Sequence, residues 1–143
     1  MTINETQDII IEEFEMFDEW MDKYEYLIEF AKNIPIIADE YKQTTNLIKG
    51  CQSQVWLNAE YQDFSVCFTA DSDAIITKGI IALLLRVLNH RTPEEILSAD
   101  LYFVEKIGLK QHLSPTRANG LVSMIKQIKM YALAYQAKNN MNQ

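Results

Sequence analysis

Apolar residues return every three or four positions through the first part of the chain. Ile10, Phe14, Phe17, Met21, Tyr24, Ile28 and Ala31 form one stripe, the spacing of a helix with a single buried face. Glu12, Glu13, Asp18, Glu19, Asp22, Glu25 and Glu29 lie mostly off that stripe. Residues 1–32 are therefore predicted to form one acidic amphipathic helix. Its end falls at Ile34-Pro35, because proline disfavours helical backbone in the residue before it. The repeat is sustained for over three heptads, so both a coiled coil and a helix packed on its own domain fit it.

Residues 36–46 read as a short helical or turn segment with a polar finish. The period then changes to two. Val55, Leu57, Ala59 and Tyr61 alternate with Gln54, Trp56, Asn58 and Glu60; after a turn at Gln62-Asp63, Phe64, Val66 and Phe68 alternate with Ser65, Cys67 and Thr69. This predicts an antiparallel hairpin with one apolar face. Leu47 to Lys49 is a candidate third strand at its edge. Ser72 or Asp73 is placed to cap a helix with core positions Ile76, Ile80, Leu83, Leu84, Val87 and Leu88. Thr92-Pro93-Glu94-Glu95 opens another helix, with a cap, a proline at the first turn and acids against the dipole. Ser114-Pro115 repeats the device and starts a long helix to about Lys138, with a stripe of Leu121, Met124, Ile125, Ile128 and Leu133. Residues 139–143 are expected to be a frayed tail. The order of elements predicts an α+β fold: a small antiparallel sheet of two or three strands packed against several helices, in one domain over residues 1–143.

A chain of 143 residues that is 48% hydrophobic and 23% charged has enough material for one sizeable core. Its net charge of −7 argues against nucleic acid or an anionic membrane as the main partner. The longest apolar run, Ile80 to Leu85, is too short to span a bilayer. No basic and apolar leader opens the chain, so a cytoplasmic protein is expected. Residues 1–32 carry a net −8 against +1 for the remainder. Two readings fit that asymmetry: a solvated helix face, or a docking surface for a basic partner.

Of the two cysteines, Cys67 sits mid-strand between Val66 and Phe68 and reads as a packing residue. Cys51 stands instead in the polar break Lys49-Gly50-Cys51-Gln52-Ser53-Gln54, where Gly50 frees the backbone to turn. It reads either as a presented nucleophile or as an incidental loop thiol. At an ordinary pKa of about 8.5 only a few per cent would be thiolate at neutral pH, so activation would need Lys49, a helix N-terminus or an arginine. His90 and His112 both fall at surface-type positions, which weakens a cysteine–histidine hydrolase. Two cysteines and two histidines are also a poor stock for a metal site. Arg117 lies in the first turn of the last helix, against the macrodipole, where an ion pair or a functional contact would hold it. Gly120, inside the same helix, costs roughly 1 kcal/mol relative to alanine; close packing of another backbone would explain it.

These residues fall in blocks. G-C-Q-S-Q-V-W at Gly50–Trp56, A-D-S-D-A at Ala70–Ala74 and G-I-I-A-L-L-L at Gly79–Leu85 are followed by T-P-E-E-I at Thr92–Ile96 and H-L-S-P-T-R-A-N-G-L at His112–Leu121. In that order they resemble the SufE family of sulfur-acceptor proteins, which includes CsdE, over most of the chain from about residue 35 onward. The resemblance implies an α+β fold like that of the IscU scaffolds. It implies a protein that accepts sulfur from a PLP-dependent cysteine desulfurase, SufS-like or CsdA-like, stimulates it, and passes the sulfur on to an iron–sulfur scaffold. It implies no cofactor or metal on this chain, and a monomer or weak dimer.

Carried over by position, Cys51 is the implied persulfide acceptor, within a motif that includes Gly50, Ser53 and Trp56. Arg117, Asn119 and Gly120 match a motif near the active cysteine and the desulfurase interface, and Asp73 matches a polar position after the hairpin. The family often shields its cysteine in an apolar pocket, with Trp56 and hairpin residues as the expected walls here. A scaffold that itself holds a cluster would need about four ligands, which Cys51 and Cys67 do not supply. A different class remains beside the carrier: a non-covalent activator or adaptor that works through the acidic segment and needs no thiol.

Overall fold

A computed structural model of the protein describes residues 1–141. Among them are seven α-helices and a two-stranded antiparallel sheet, so the α+β class stands. The acidic segment, predicted as one helix, is two: α1 (Ile3–Glu15) and α2 (Trp20–Lys32). Thr2 and Glu5 form a reciprocal capping box on α1, satisfying two otherwise orphaned N–H groups. α1 buries Ile3, Ile10 and Phe14, and Gln7 fixes its seat by bonding the Asp100 carbonyl and the Phe103 N–H. α2 buries Leu27 and Ala31, while Met21 of the predicted stripe is exposed. The even spacing of apolar residues thus runs across a break at residues 16–19. α2 ends ahead of Pro35, as the proline requires.

The hairpin consists of β1 (Val55–Gln62) and β2 (Ser65–Ser72), in register Leu57↔Ala70 and Ala59↔Phe68. The turn is Asp63-Phe64, one residue later than expected. Both residues have positive φ, 53° and 64°, the geometry of a tight hairpin turn. This takes Phe64 off the apolar face and leaves it 78% exposed. Leu47 forms only an isolated bridge to Trp56, so no third strand forms among the described residues. On the outer edge of β1, the carbonyls of Leu57 and Ala59 accept hydrogen bonds from the hydroxyls of Tyr131 and Tyr135.

α3 (Ile75–Leu88) runs through the middle of the core, with Gly79 to Leu85 all buried. A helix that is apolar on nearly every side needs cover on every side, and α2, β2 and α7 (Pro115–Met141) supply it. Contact with α2 is close enough that a Cβ on Gly79 would lie 2.4 Å from the Leu27 carbonyl oxygen. α4 (Pro93–Ser98) begins at the foreseen Thr92 cap and Pro93, and Thr92 and Glu95 form a reciprocal capping box. α5 (Phe103–Lys106) and α6 (Leu109–His112) have too few residues to show a period, and the sequence did not reveal them. α7 buries Leu121, Met124, Ile128 and Ala132; Leu133, assigned to its stripe, is 55% exposed. The helix continues past Lys138 to Met141, and Asn139 bonds the Tyr61 hydroxyl at 2.8 Å. That part of the expected tail is therefore ordered helix, and residues 142–143 lie outside the described residues.

Candidate functional site

Cys51 lies on the segment that leads into β1. On one side of it, the Ile48 N–H donates to the Val55 carbonyl at 2.8 Å. On the other, the Gln54 N–H donates to the Asp73 carboxylate at 3.0 Å, and the Gln54 carbonyl accepts from the Ser72 hydroxyl at 2.8 Å. Five residues, Lys49 to Ser53, are thus held at both ends by the sheet and by the connection to α3. Gly50 makes the turn possible. Its φ is +92°, and a Cβ there would sit 2.4 Å from Ser123 Oγ on α7, so both backbone and space call for glycine.

The turn carries the half-buried Cys51 against α7. Its thiol donates to the Gly120 carbonyl at 3.7 Å. A Cβ on Gly120 would lie 3.5 Å from the sulfur, so the backbone packed against this glycine is the Cys51 turn. Next to the sulfur opens a cavity of about 300 Å³. The turn contributes Ser53 to it; α3 contributes Thr77 and Ile80; α7 contributes Thr116 and Arg117 from its first turn and Met124 from further along. Hydroxyls and a guanidinium therefore share the lining with two apolar side chains. The expected apolar pocket is half polar, and Trp56 is not one of its walls. Trp56 is half-buried, with Lys42 over its ring at 5.7 Å.

Burial pushes the Cys51 thiol above the ordinary thiol range, and no neighbouring charge offsets it. Lys49 is exposed and does not activate the sulfur. The Gly120 carbonyl also favours the protonated form, because it accepts a proton and repels a thiolate. The resting group is a neutral, sheltered thiol.

The other sequence candidates divide into two sets. Gly50, Ser53, Arg117 and Gly120 meet at Cys51. Arg117 takes part in none of the ion pairs among the described residues; its backbone N–H bonds the Ser114 hydroxyl, which opens α7. Asp73 and Asn119 are exposed and outside the cavity; Asp73 acts on the turn through Gln54. Just before it, Asp71 is buried between Lys42 at 2.6 Å and Lys78 at 3.2 Å. Burial pushes the Asp71 carboxyl up, but bonds from Lys42, the Ser72 N–H and Lys78 outweigh it and hold it below the usual range. Sequence reasoning missed Thr77 as a site residue. Its signal was a polar residue two positions before Gly79, in a helix otherwise apolar on nearly every side.

Neither histidine lines the cavity. His90 lies 3.3 Å from Cys67 instead, and His112 stacks on Trp20 at 3.9 Å between centroids. A cysteine–histidine dyad at Cys51 is therefore absent among the described residues. Burial, then Glu60 and Asp63, push the Cys67 thiol up as well. No group of three or more His, Cys, Asp or Glu among the described residues is placed to hold a metal, and no described helix is long and apolar enough to cross a membrane.

Comparison with known proteins adds to this geometry. Residues 8–132 match the family model described as SufE, Fe–S metabolism associated domain. An uncharacterised SufE-like protein of Rhizobium meliloti is 42% identical over 130 residues, covering 87% of this chain and 93% of the relative. A second, from Synechocystis, is 37% identical over 127 residues, covering 89% of this chain and 80% of the relative. SufE-like protein 1 of Arabidopsis thaliana, chloroplastic/mitochondrial, is 38% identical over 130 residues, covering 90% of this chain and 35% of that longer protein. Among solved structures, the solution structure of a hypothetical protein from Thermus thermophilus superposes with a TM-score of 0.76 at 19% identity, over 92% of this chain and 96% of the other. At that identity the likeness is one of fold.

Proposed function

The chain belongs to the SufE family, associated with Fe–S metabolism, and on that premise we propose that it is a sulfur carrier with Cys51 as its acceptor. The donor is a cysteine desulfurase, SufS-like or CsdA-like, whose own PLP does the carbon–sulfur chemistry. The recipient is an iron–sulfur scaffold, and the setting is cytoplasmic. The observation that carries this reading is the Cys51 thiol, sheltered on a turn held at both ends and facing a cavity with room beside its sulfur. Taking sulfur off the desulfurase frees it for another turnover, so the carrier stimulates its donor.

The exchange is balanced without an oxidant. Cys51, as thiolate, attacks the outer sulfur of the donor's cysteine persulfide. A bond forms between Cys51 Sγ and that sulfur, the donor's sulfur–sulfur bond breaks, and the donor cysteine leaves as thiolate and takes up the proton that Cys51 gave up. Because the resting thiol is neutral and sheltered, transfer waits on the partner, and the free protein is spared oxidation.

Gly50 provides the turn, Gly120 the carbonyl that keeps the thiol protonated, and Arg117 a positive charge at the cavity. Ser53 adds a hydroxyl. Asp73 holds the end of the turn through Gln54, Trp56 braces the start of β1, and Asn119 offers a polar contact to the partner beside Gly120.

The test is intact mass spectrometry after incubation with a desulfurase and cysteine. Gain of sulfur mapped to Cys51, lost in Cys51→Ser together with stimulation of the desulfurase, is the expected result. Full stimulation by Cys51→Ser, with labelled sulfur still reaching the scaffold, would leave the non-covalent activator in its place.

A further inference from the structure

The lining of the Cys51 cavity holds a group that neither the motif blocks nor the turn accounts for. Thr77 is in the first turn of α3 and only 7% exposed, yet its hydroxyl has no hydrogen-bond partner among the described residues. No described side-chain polar atom that is sealed from solvent lacks a partner. The Thr77 hydroxyl therefore opens onto the cavity it lines. A donor that opens onto the cavity is free to bond whatever group lies beside the sulfur.

The electrostatics say what kind of group that is. Thr77 stands at the N-terminal end of α3, whose cap residue Ala74 has no side chain to bond the free N–H groups. Thr116 and Arg117 belong to the first turn of α7. Two helix N-termini, each the positive end of its dipole, thus meet at one cavity. Its only formally charged lining residue is Arg117, a cation without an ion-pair partner among the described residues. Such a site favours a small anion that accepts hydrogen bonds. A cavity of about 300 Å³ beside Cys51 Sγ has ample room for one more sulfur atom, since a water takes about 30 Å³ in the liquid.

We propose that this cavity is the binding site for the outer sulfur of the Cys51 persulfide, with the Thr77 hydroxyl as its hydrogen-bond donor and Arg117 as the one cation of the lining. The inference rests on the carrier reading above and assigns Thr77 to it. The outer sulfur of a hydropersulfide is a stronger acid than a thiol. Transfer thus adds a more acidic sulfur, which reaches past the Gly120 carbonyl to the Thr77 hydroxyl and the two helix N-termini. The site discriminates loaded from empty protein: the empty thiol is matched by the Gly120 carbonyl, the loaded sulfur by Thr77 and Arg117.

The test uses the full-length protein and Thr77→Val, which removes the hydroxyl at nearly constant volume, with Thr77→Ser as the rescue. Each is loaded by a desulfurase with cysteine, and separately with inorganic polysulfide, and loss of the outer sulfur to dithiothreitol is followed by intact mass. Thr77→Val should lose it about fivefold faster than wild type, the effect of one hydrogen bond to a charged group weakened by a sulfur acceptor. Thr77→Ser should stay within about twofold of wild type, because it keeps the donor. Equal half-lives in Thr77→Val and wild type overturn the assignment, and so does equally fast loss from Thr77→Ser, which would mark a packing effect. Failure of wild type itself to gain sulfur at Cys51 from the desulfurase overturns the carrier reading, whatever the variants do.

Discussion

Replacing Gly120 by alanine separates stability from function at one atom. Gly120 is in the second turn of α7 with ordinary helical backbone, since only Gly50 and Gly108 among the glycines have positive φ. The new Cβ would lie 3.5 Å from Cys51 Sγ and 4.0 Å from its Cα and Cβ. Those are ordinary contacts, so nothing need move. Alanine then recovers the helix propensity that glycine forfeits, about 1 kcal/mol, and Tm should rise by about 3 °C for a chain of this size. Urea unfolding followed by circular dichroism measures the first quantity. The methyl group, however, takes up space beside the Cys51 sulfur, where the proposed carrier function puts the transferred atom. An overpacking cost of about 1–3 kcal/mol, falling only on the loaded state, corresponds to at least about fivefold less persulfide at equilibrium with a donor. A Gly120→Ala protein destabilised by about 1 kcal/mol or more would refute the packing of the turn on α7. One that is stabilised yet loads normally would refute the use of this side of the cavity.

Four other outcomes are expected. Gly79→Ala should lose about 2 kcal/mol or more despite the same gain in propensity, because its Cβ meets the Leu27 carbonyl oxygen at 2.4 Å and both are backbone-bound; chemical denaturation checks it. Phe64→Gly should gain about 0.5–1 kcal/mol by removing an exposed side chain from left-handed backbone, read as a higher Tm. Glu13 is bonded by both Arg86 nitrogens, at 2.7 and 3.0 Å, and by Tyr26, and the Arg86 bond holds its carboxyl below the ordinary value of 4.5. Its stabilisation is thus full above 4.5 and is lost as pH falls through the lower folded value. Glu13→Gln should cost about 1 kcal/mol at neutral pH and narrow the loss of stability on acidification, measured by denaturation at pH 7 and pH 3. Finally, with its pKa raised by burial, Cys51 should alkylate with iodoacetamide more slowly in the folded protein than in the urea-unfolded chain. Its rate profile should also be shifted to higher pH, and a folded protein that reacts as fast as the unfolded one would mean that the thiol is not sheltered.

The elements with repeated local signals were legible in the sequence. The hairpin's alternation, the α4 capping box and the start of α7 at Ser114-Pro115 all depend on residues within a few positions of one another. The break between α1 and α2 was not legible, because the apolar spacing continues through it. Phe64 and Leu133 were misplaced for a related reason: period alone does not say where a turn begins or which side of a stripe meets the core. At the site, Cys51 and Gly120 stood out for residues out of place in their segments, a thiol in a polar break and a glycine inside a helix. Thr77 was not singled out, and Trp56, expected as a wall of the cavity, is not one. Which side of α3 faces the turn is decided by how α2, β2 and α7 surround it, and no local pattern encodes that.

The two anchors of the Cys51 turn also set a reach. Ile48 and Gln54 are each three residues from Cys51, and both are bonded into the sheet end. An extended chain spans about 3.3–3.6 Å per residue, so the Cα of Cys51 can travel no more than about 10 Å from its moorings while they hold. Under the proposed carrier function, a partner that takes sulfur from this protein, or gives it, must therefore bring its own sulfur close to the mouth of the cavity. A donor atom seated deeper than that length of tether is accessible only if Ile48 or Gln54 lets go.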